Sequence, residues 1–110
     1  MMSGSGGGFG GGAGDDAVVA CERLIIETAI SSPKEAVIRN LAAGYILQVG
    51  LEQVGGTSVV ALYYQGEVAG GITHASTNRL RECIQAGTNY NATVISKSDG
   101  QVRIRIKPIQ

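Results

Sequence analysis

Residues 45–73 read YILQVGLEQVGGTSVVALYYQGEVAGGIT, three aliphatic and aromatic stretches divided by glycine. The breaks, Gly55-Gly56 and Gln65-Gly66, are two residues long, the length that joins antiparallel strands when both turn residues take positive φ. The stretch therefore predicts three successive antiparallel strands over 45–54, 57–64 and 67–73. Toward the C-terminus the period changes. Leu80, Cys83 and Ile84 recur at helical spacing, and Gly87 stands where a helix ends, so a helix is expected over 76–86. Two further strands, 90–96 and 101–106, meet through Asp99-Gly100, a dipeptide suited to a tight hairpin.

Toward the N-terminus, CERLIIETAI over 21–30 carries β-branched residues and no breaker, and reads as a strand. Ser32-Pro33-Lys34-Glu35 then marks a helix start, with Ser32 as N-cap, proline at the first helical position and an acid three past the cap. Ala36, Val37 and Leu41 give that helix an apolar stripe, and Gly44 closes it. The order is β-α-β-β-β-α-β-β. The expected class is α+β: a small, mostly antiparallel six-stranded β-barrel with two short helices, closed so that no strand edge is exposed.

The chain has 110 residues, which limits it to one domain. Eight of its 17 glycines fall within the first 14 residues, so 1–16 is expected to be a flexible tail and 17–110 the folded domain. With no Trp and a single Phe in that tail, the core must come from Ile, Val, Leu and Tyr. No apolar run approaches the ~20 residues of a membrane helix. The start has neither a basic nor an apolar signal region, which predicts a cytoplasmic protein in which Cys21 and Cys83 are reduced and partly buried.

The formal net charge is zero, yet residues 1–67 hold three basic and seven acidic side chains and residues 68–110 hold six and two. In the last strand Arg103, Arg105 and Lys107 alternate with Val102, Ile104 and Ile106. Side chains two apart share a strand face, so the aliphatic set enters the core and the cations form an outer row. Such a row can hold phosphates, and it can equally be a solvated edge kept from pairing by like charge. Arg79 and Arg81 lie in the second helix, and whether they join the row depends on the tertiary fold; Arg79 is taken as the further candidate. Adjacent Tyr63 and Tyr64 face opposite ways, so one of them remains for base stacking or a contact surface.

Catalytic chemistry finds little support. The one histidine, His74, would need a nucleophile or an orienting carboxylate that sequence alone does not place beside it, and the neighbouring hydroxyls of Thr73, Ser76 and Thr77 more naturally cap the helix. The carboxylates are scattered, and no phosphate loop, nucleophile elbow or zinc spacing occurs. The expectation is a protein that is not an enzyme and takes no cofactor or metal.

The run 47–109 resembles a HIRAN domain, the small barrel found alone in bacteria and fused to eukaryotic helicase-type remodellers. The similarity lies in Val59-Val60-Ala61-Leu62-Tyr63-Tyr64, in Gly66-Glu67-Val68-Ala69-Gly70-Gly71-Ile72, in the helical stretch 78–87, and in the strands at 90–94 and 102–106. Where that family carries an Arg-Glu…Asn-Pro-Tyr-Asp…Asn-Ala segment that helps form the pocket for a single-stranded DNA 3′ end, this chain has Leu51-Glu52-Gln53-Val54-Gly55-Gly56-Thr57-Ser58. The resemblance thus implies the architecture more than the 3′-end activity. The functional expectation is a binding module for single-stranded nucleic acid through Arg103, Arg105, Lys107, Arg79, Tyr63 and Tyr64. The alternative is a protein-interaction or homo-oligomeric assembly domain with no nucleic-acid binding.

Overall fold

In a computed structural model, which describes residues 19–109, six strands and two helices follow the expected order. The expected glycine-rich tail lies outside the described residues. The strands are β1 (Ile26–Ala29), β2 (Ile46–Val54), β3 (Thr57–Tyr64), β4 (Glu67–Gly71), β5 (Tyr90–Ser98) and β6 (Gln101–Pro108). The helices are α1 (Glu35–Ile38) and α2 (Thr77–Gln85), and a 3-10 turn occupies Cys21–Arg23. All pairings are antiparallel, in the order β1-β6-β5-β2-β3-β4.

The hairpins form where local chemistry demands them. Asp99 and Gly100 take φ of 52° and 80°, and the turns at 55–56 and 65–66 also have both φ positive. These left-handed pairs match the right-handed twist of the flanking strands. The inward side chains then build one core, in which Ile26, Leu47, Leu62, Ile104 and Ile106 are essentially fully buried. Each such aliphatic contributes roughly 1.5–3 kcal/mol relative to exposure. Leu80 and Cys83 project from α2 into the same core. α2 ends with the Thr88 and Gly87 N–H groups donating to the carbonyls of Cys83 and Ile84, the paired bonds of a Schellman cap.

The sheet is not closed into the expected barrel, because no ladder joins its outer strands β1 and β4. The segment just after β1 instead meets the end of β4 at a seam held by one bridge, in which Ser31 and Gly71 exchange N–H···O bonds of 2.7 and 2.9 Å. Lys34 N–H also donates to the Ala69 carbonyl at 2.9 Å. This close approach requires glycine at 70. Its φ is +152°, and a Cβ there would lie 2.4 Å from Ile30 Cγ2 and 2.8 Å from the Ser31 carbonyl oxygen.

The seam also explains the displaced element ends. Ser31 gives its backbone to Gly71 and Ser32 takes φ of 50°, so Ser32 is no N-cap and α1 begins only at Glu35. Lys97 serves the other end of α1, donating to the carbonyls of Ile38 (2.8 Å) and Leu41 (3.2 Å). β4 stops at Gly71 because the chain turns there toward α2.

The expected strand over 21–30 is only half a strand. Cys21 and Cys83 are not separate thiols but a disulfide, with Cα atoms 5.5 Å apart. Beside it the Tyr90 hydroxyl donates to the Cys21 carbonyl at 2.6 Å, and Arg79 Nη2 donates to the Val19 carbonyl at 3.0 Å. Three attachments bend residues 19–24 onto α2 and β5, away from the line of β1. Burial pushes the Tyr90 phenol pKa up, an effect reinforced by Glu22 and opposed by the Arg79 charge.

Candidate nucleic-acid interface

Alternation along β6 places Val102, Ile104 and Ile106 in the core and leaves Arg103, Arg105 and Lys107 exposed on the outer face. The cations repeat every second residue, about 6.6–6.8 Å along the strand. Register sets their neighbours. Across the outer face, Glu27, Arg105, Thr93 and Ile46 form one row, and Lys107, Asn91, Gln48 and Tyr63 form the next. Arg103 lies between Ala29 and Ser96.

The three cations are not equivalent. Arg105 Nε donates to Glu27 Oε2 at 2.6 Å, with both side chains about half exposed. An exposed pair of this kind contributes about 0.2–1 kcal/mol, small enough for a phosphate to displace. Arg103 and Lys107 have no ion-pair partner among the described residues.

Of the two tyrosines, Tyr63 shares the outer face with the cations. Its ring covers Gly50, where an added Cβ would stand 3.3 Å from Tyr63 Cε1. Tyr64 turns the other way, packs against the core and stacks on Tyr45 with ring centroids 5.9 Å apart. Arg79 does not join the column. It sits on α2 with its guanidinium engaged by the Val19 carbonyl and by Glu82 at 3.7 Å, and its Nε is buried without a hydrogen-bond partner.

The outer face also carries Ile46 (58% exposed) beside the cations, with Ile95 (37%) at the β5 irregularity next to it and Ile25 (56%) just before β1. The charge pattern drew attention away from these aliphatics. Their signal was the outward position that strict alternation assigns to Ile46 next to buried Leu47.

His74 belongs to the start of α2. Its Nδ1 accepts from the Ser76 N–H at 3.0 Å, and its own N–H donates to Thr77 Oγ1 at 2.9 Å. Ser76 offers no side-chain cap. Among the described residues no three His, Cys, Asp or Glu side chains gather as a metal set, and no helix is long and apolar enough to cross a membrane. Comparison with family models, with curated proteins and with solved structures finds no match for this chain.

Proposed function

We propose that this chain is a small non-enzymatic binding module whose outer sheet face holds single-stranded nucleic acid. The observation that carries the reading is the exposed column of Arg103, Arg105 and Lys107, of which only Arg105 is ion-paired among the described residues, with Tyr63 two strands beyond Asn91 on the same face. Arg103 and Lys107 hold phosphates, Arg105 follows by exchanging Glu27 for a phosphate, and Tyr63 stacks a base. Arg79 and Tyr64 are left out of this reading, being committed to the fold. We read the sheet as a barrel completed at the Ser31–Gly71 bridge, the architecture that the HIRAN resemblance implies. The cytoplasmic setting is expected from the start of the sequence together with reduced thiols, and of these grounds the Cys21–Cys83 bond removes the second, since disulfides persist in oxidising compartments.

The test is fluorescence anisotropy with a short single-stranded oligonucleotide between 50 and 200 mM salt. Three phosphate contacts give a log–log slope of about −2, and Arg103→Gln lowers its magnitude by roughly 0.7. Glu27→Gln releases Arg105 and tightens binding about two- to threefold. Absence of a signal at 50 mM salt refutes the reading.

A second reading has its own support. Ile46 and Ile95, on β2 and β5, are solvent-exposed aliphatics beside the same column, the composition of a protein contact. A mass that rises with concentration in light scattering, and falls back to the monomer in Ile46→Asp, identifies self-association through this face.

A further inference from the structure

A depression of about 270 Å³ opens where the seam between β1 and β4 meets α2, lined in part by Ser31, Ser32, Thr73, Thr77 and Arg81. None of its lining residues is acidic. Arg81 is partly buried and has no side-chain partner among the described residues. Thr77 Oγ1 already accepts the His74 N–H, so its hydroxyl proton is left to donate. Arg81 and four hydroxyl-bearing residues thus border one small concavity, together with Val59, Val60 and Ile72 and with no carboxylate among the lining residues.

The backbone there is unusual as well. Among the described residues, Ser32 is the one non-glycine with positive φ outside a hairpin turn. Such conformations are strained for a residue with a side chain and persist where the surroundings impose them. Here the pair of backbone hydrogen bonds between Ser31 and Gly71 and the tight packing on Gly70 impose it. The hydroxyls of Ser31 and Ser32 are therefore presented from a rigid segment.

We propose that this depression is an oxyanion site that takes the phosphate group of a phosphate monoester. Arg81 supplies a planar fork that donates to two oxygens at once. Ser31, Ser32, Thr73 and Thr77 supply more donors than the two oxygens of a carboxylate can use, and a monoester has three terminal oxygens. The volume lies below the range usual for drug-sized ligands, which suits the phosphate head with the rest of the ester outside. The site stands apart from the outer-face reading and does not depend on it.

Thermal unfolding and titration calorimetry of the full chain with inorganic phosphate and with glycerol phosphate, at ionic strength held constant with chloride, test the proposal. Saturable stabilisation is expected, with affinity reduced at least tenfold in Arg81→Gln and left unchanged in Arg103→Gln. Arg81→Lys keeps the charge without the fork and falls between. Should Arg81→Gln fail to fold, Ser32→Gly retains the left-handed backbone, removes one donor and weakens binding about threefold. A parallel arm compares oligonucleotides with and without a terminal phosphate. Preference for the phosphorylated end assigns the ester to nucleic acid, and binding of glycerol phosphate alone assigns it to a small metabolite. Stabilisation no greater than with chloride, or equal in Arg81→Gln, overturns the site.

Discussion

The β5–β6 hairpin and the seam between β1 and β4 complete the same sheet by opposite means. The hairpin joins residues close in sequence through Asp99-Gly100, whose backbone angles suit only one kind of turn. The seam joins residue 31 to residue 71, as the disulfide beside α2 joins residue 21 to residue 83, and each contact exists only once the rest of the chain has folded. Local turn chemistry tolerates modest change because its cost is confined to one or two residues. A seam concentrates several long-range constraints on a few atoms, so single substitutions there should cost more.

Gly70→Ala is the hardest test of that contrast. A methyl group would add backbone strain of about 1–3 kcal/mol to overpacking of similar size against Ile30 and the Ser31 carbonyl. Loss of about 4 kcal/mol in urea unfolding is expected, and a change under 1 kcal/mol would mean that the seam yields freely. Next comes the disulfide. It closes a loop of 62 residues, and its removal by double substitution to alanine should cost about 4 kcal/mol on the chain-entropy account. Calorimetry of the variant checks this, since a smaller loss would show that residues 19–24 are held chiefly by Tyr90 and Arg79.

In the hairpin, Gly100→Ala places a Cβ on a left-handed residue facing open space. The expected loss is about 1–2 kcal/mol, visible as a Tm lower by several degrees with an unchanged sheet spectrum. A loss as large as that of Gly70→Ala would erase the distinction between the two regions. The smallest effect is one of pH. Burial raises the Tyr90 phenol pKa in the folded state, so the folded state keeps its proton where the unfolded state loses it. Its contribution is complete below the unfolded value near 10.0 and is lost as pH rises through the higher folded value. Stability of the parent should therefore fall more steeply above pH 10 than that of Tyr90→Phe, and parallel curves would remove Tyr90 from the N-terminal attachment.

The division between hairpin and seam is also the division between what could and could not be read from the residues. β3 lies where expected because a two-residue turn with positive φ, Gly55-Gly56 or Gln65-Gly66, bounds it on each side. The outward row on β6 was legible because alternation has a period of two and needs no tertiary information. The identity of its neighbours was not. Glu27 stands 78 residues from Arg105, and only the pairing of β1 with β6 brings them together. Arg79 resembled a member of the row as a charge on a nearby helix, yet the fold directs it to Val19. Ser32 had the correct residue type for a cap, and its cross-sheet neighbour Gly71 claimed the adjoining backbone first.

Sequence alone determined the order of the elements, the three tight turns and the cationic outer side of β6. Each follows from φ preferences or side-chain alternation within a few residues. Tertiary structure decided that Cys21 bonds Cys83, that Arg105 faces Glu27, that the sheet ends at a single bridge instead of a closed ladder, and that Arg81 and four hydroxyls share one depression. These contacts span tens of residues. Distances between such residues are set by how the whole sheet coils around its core, which no local pattern encodes.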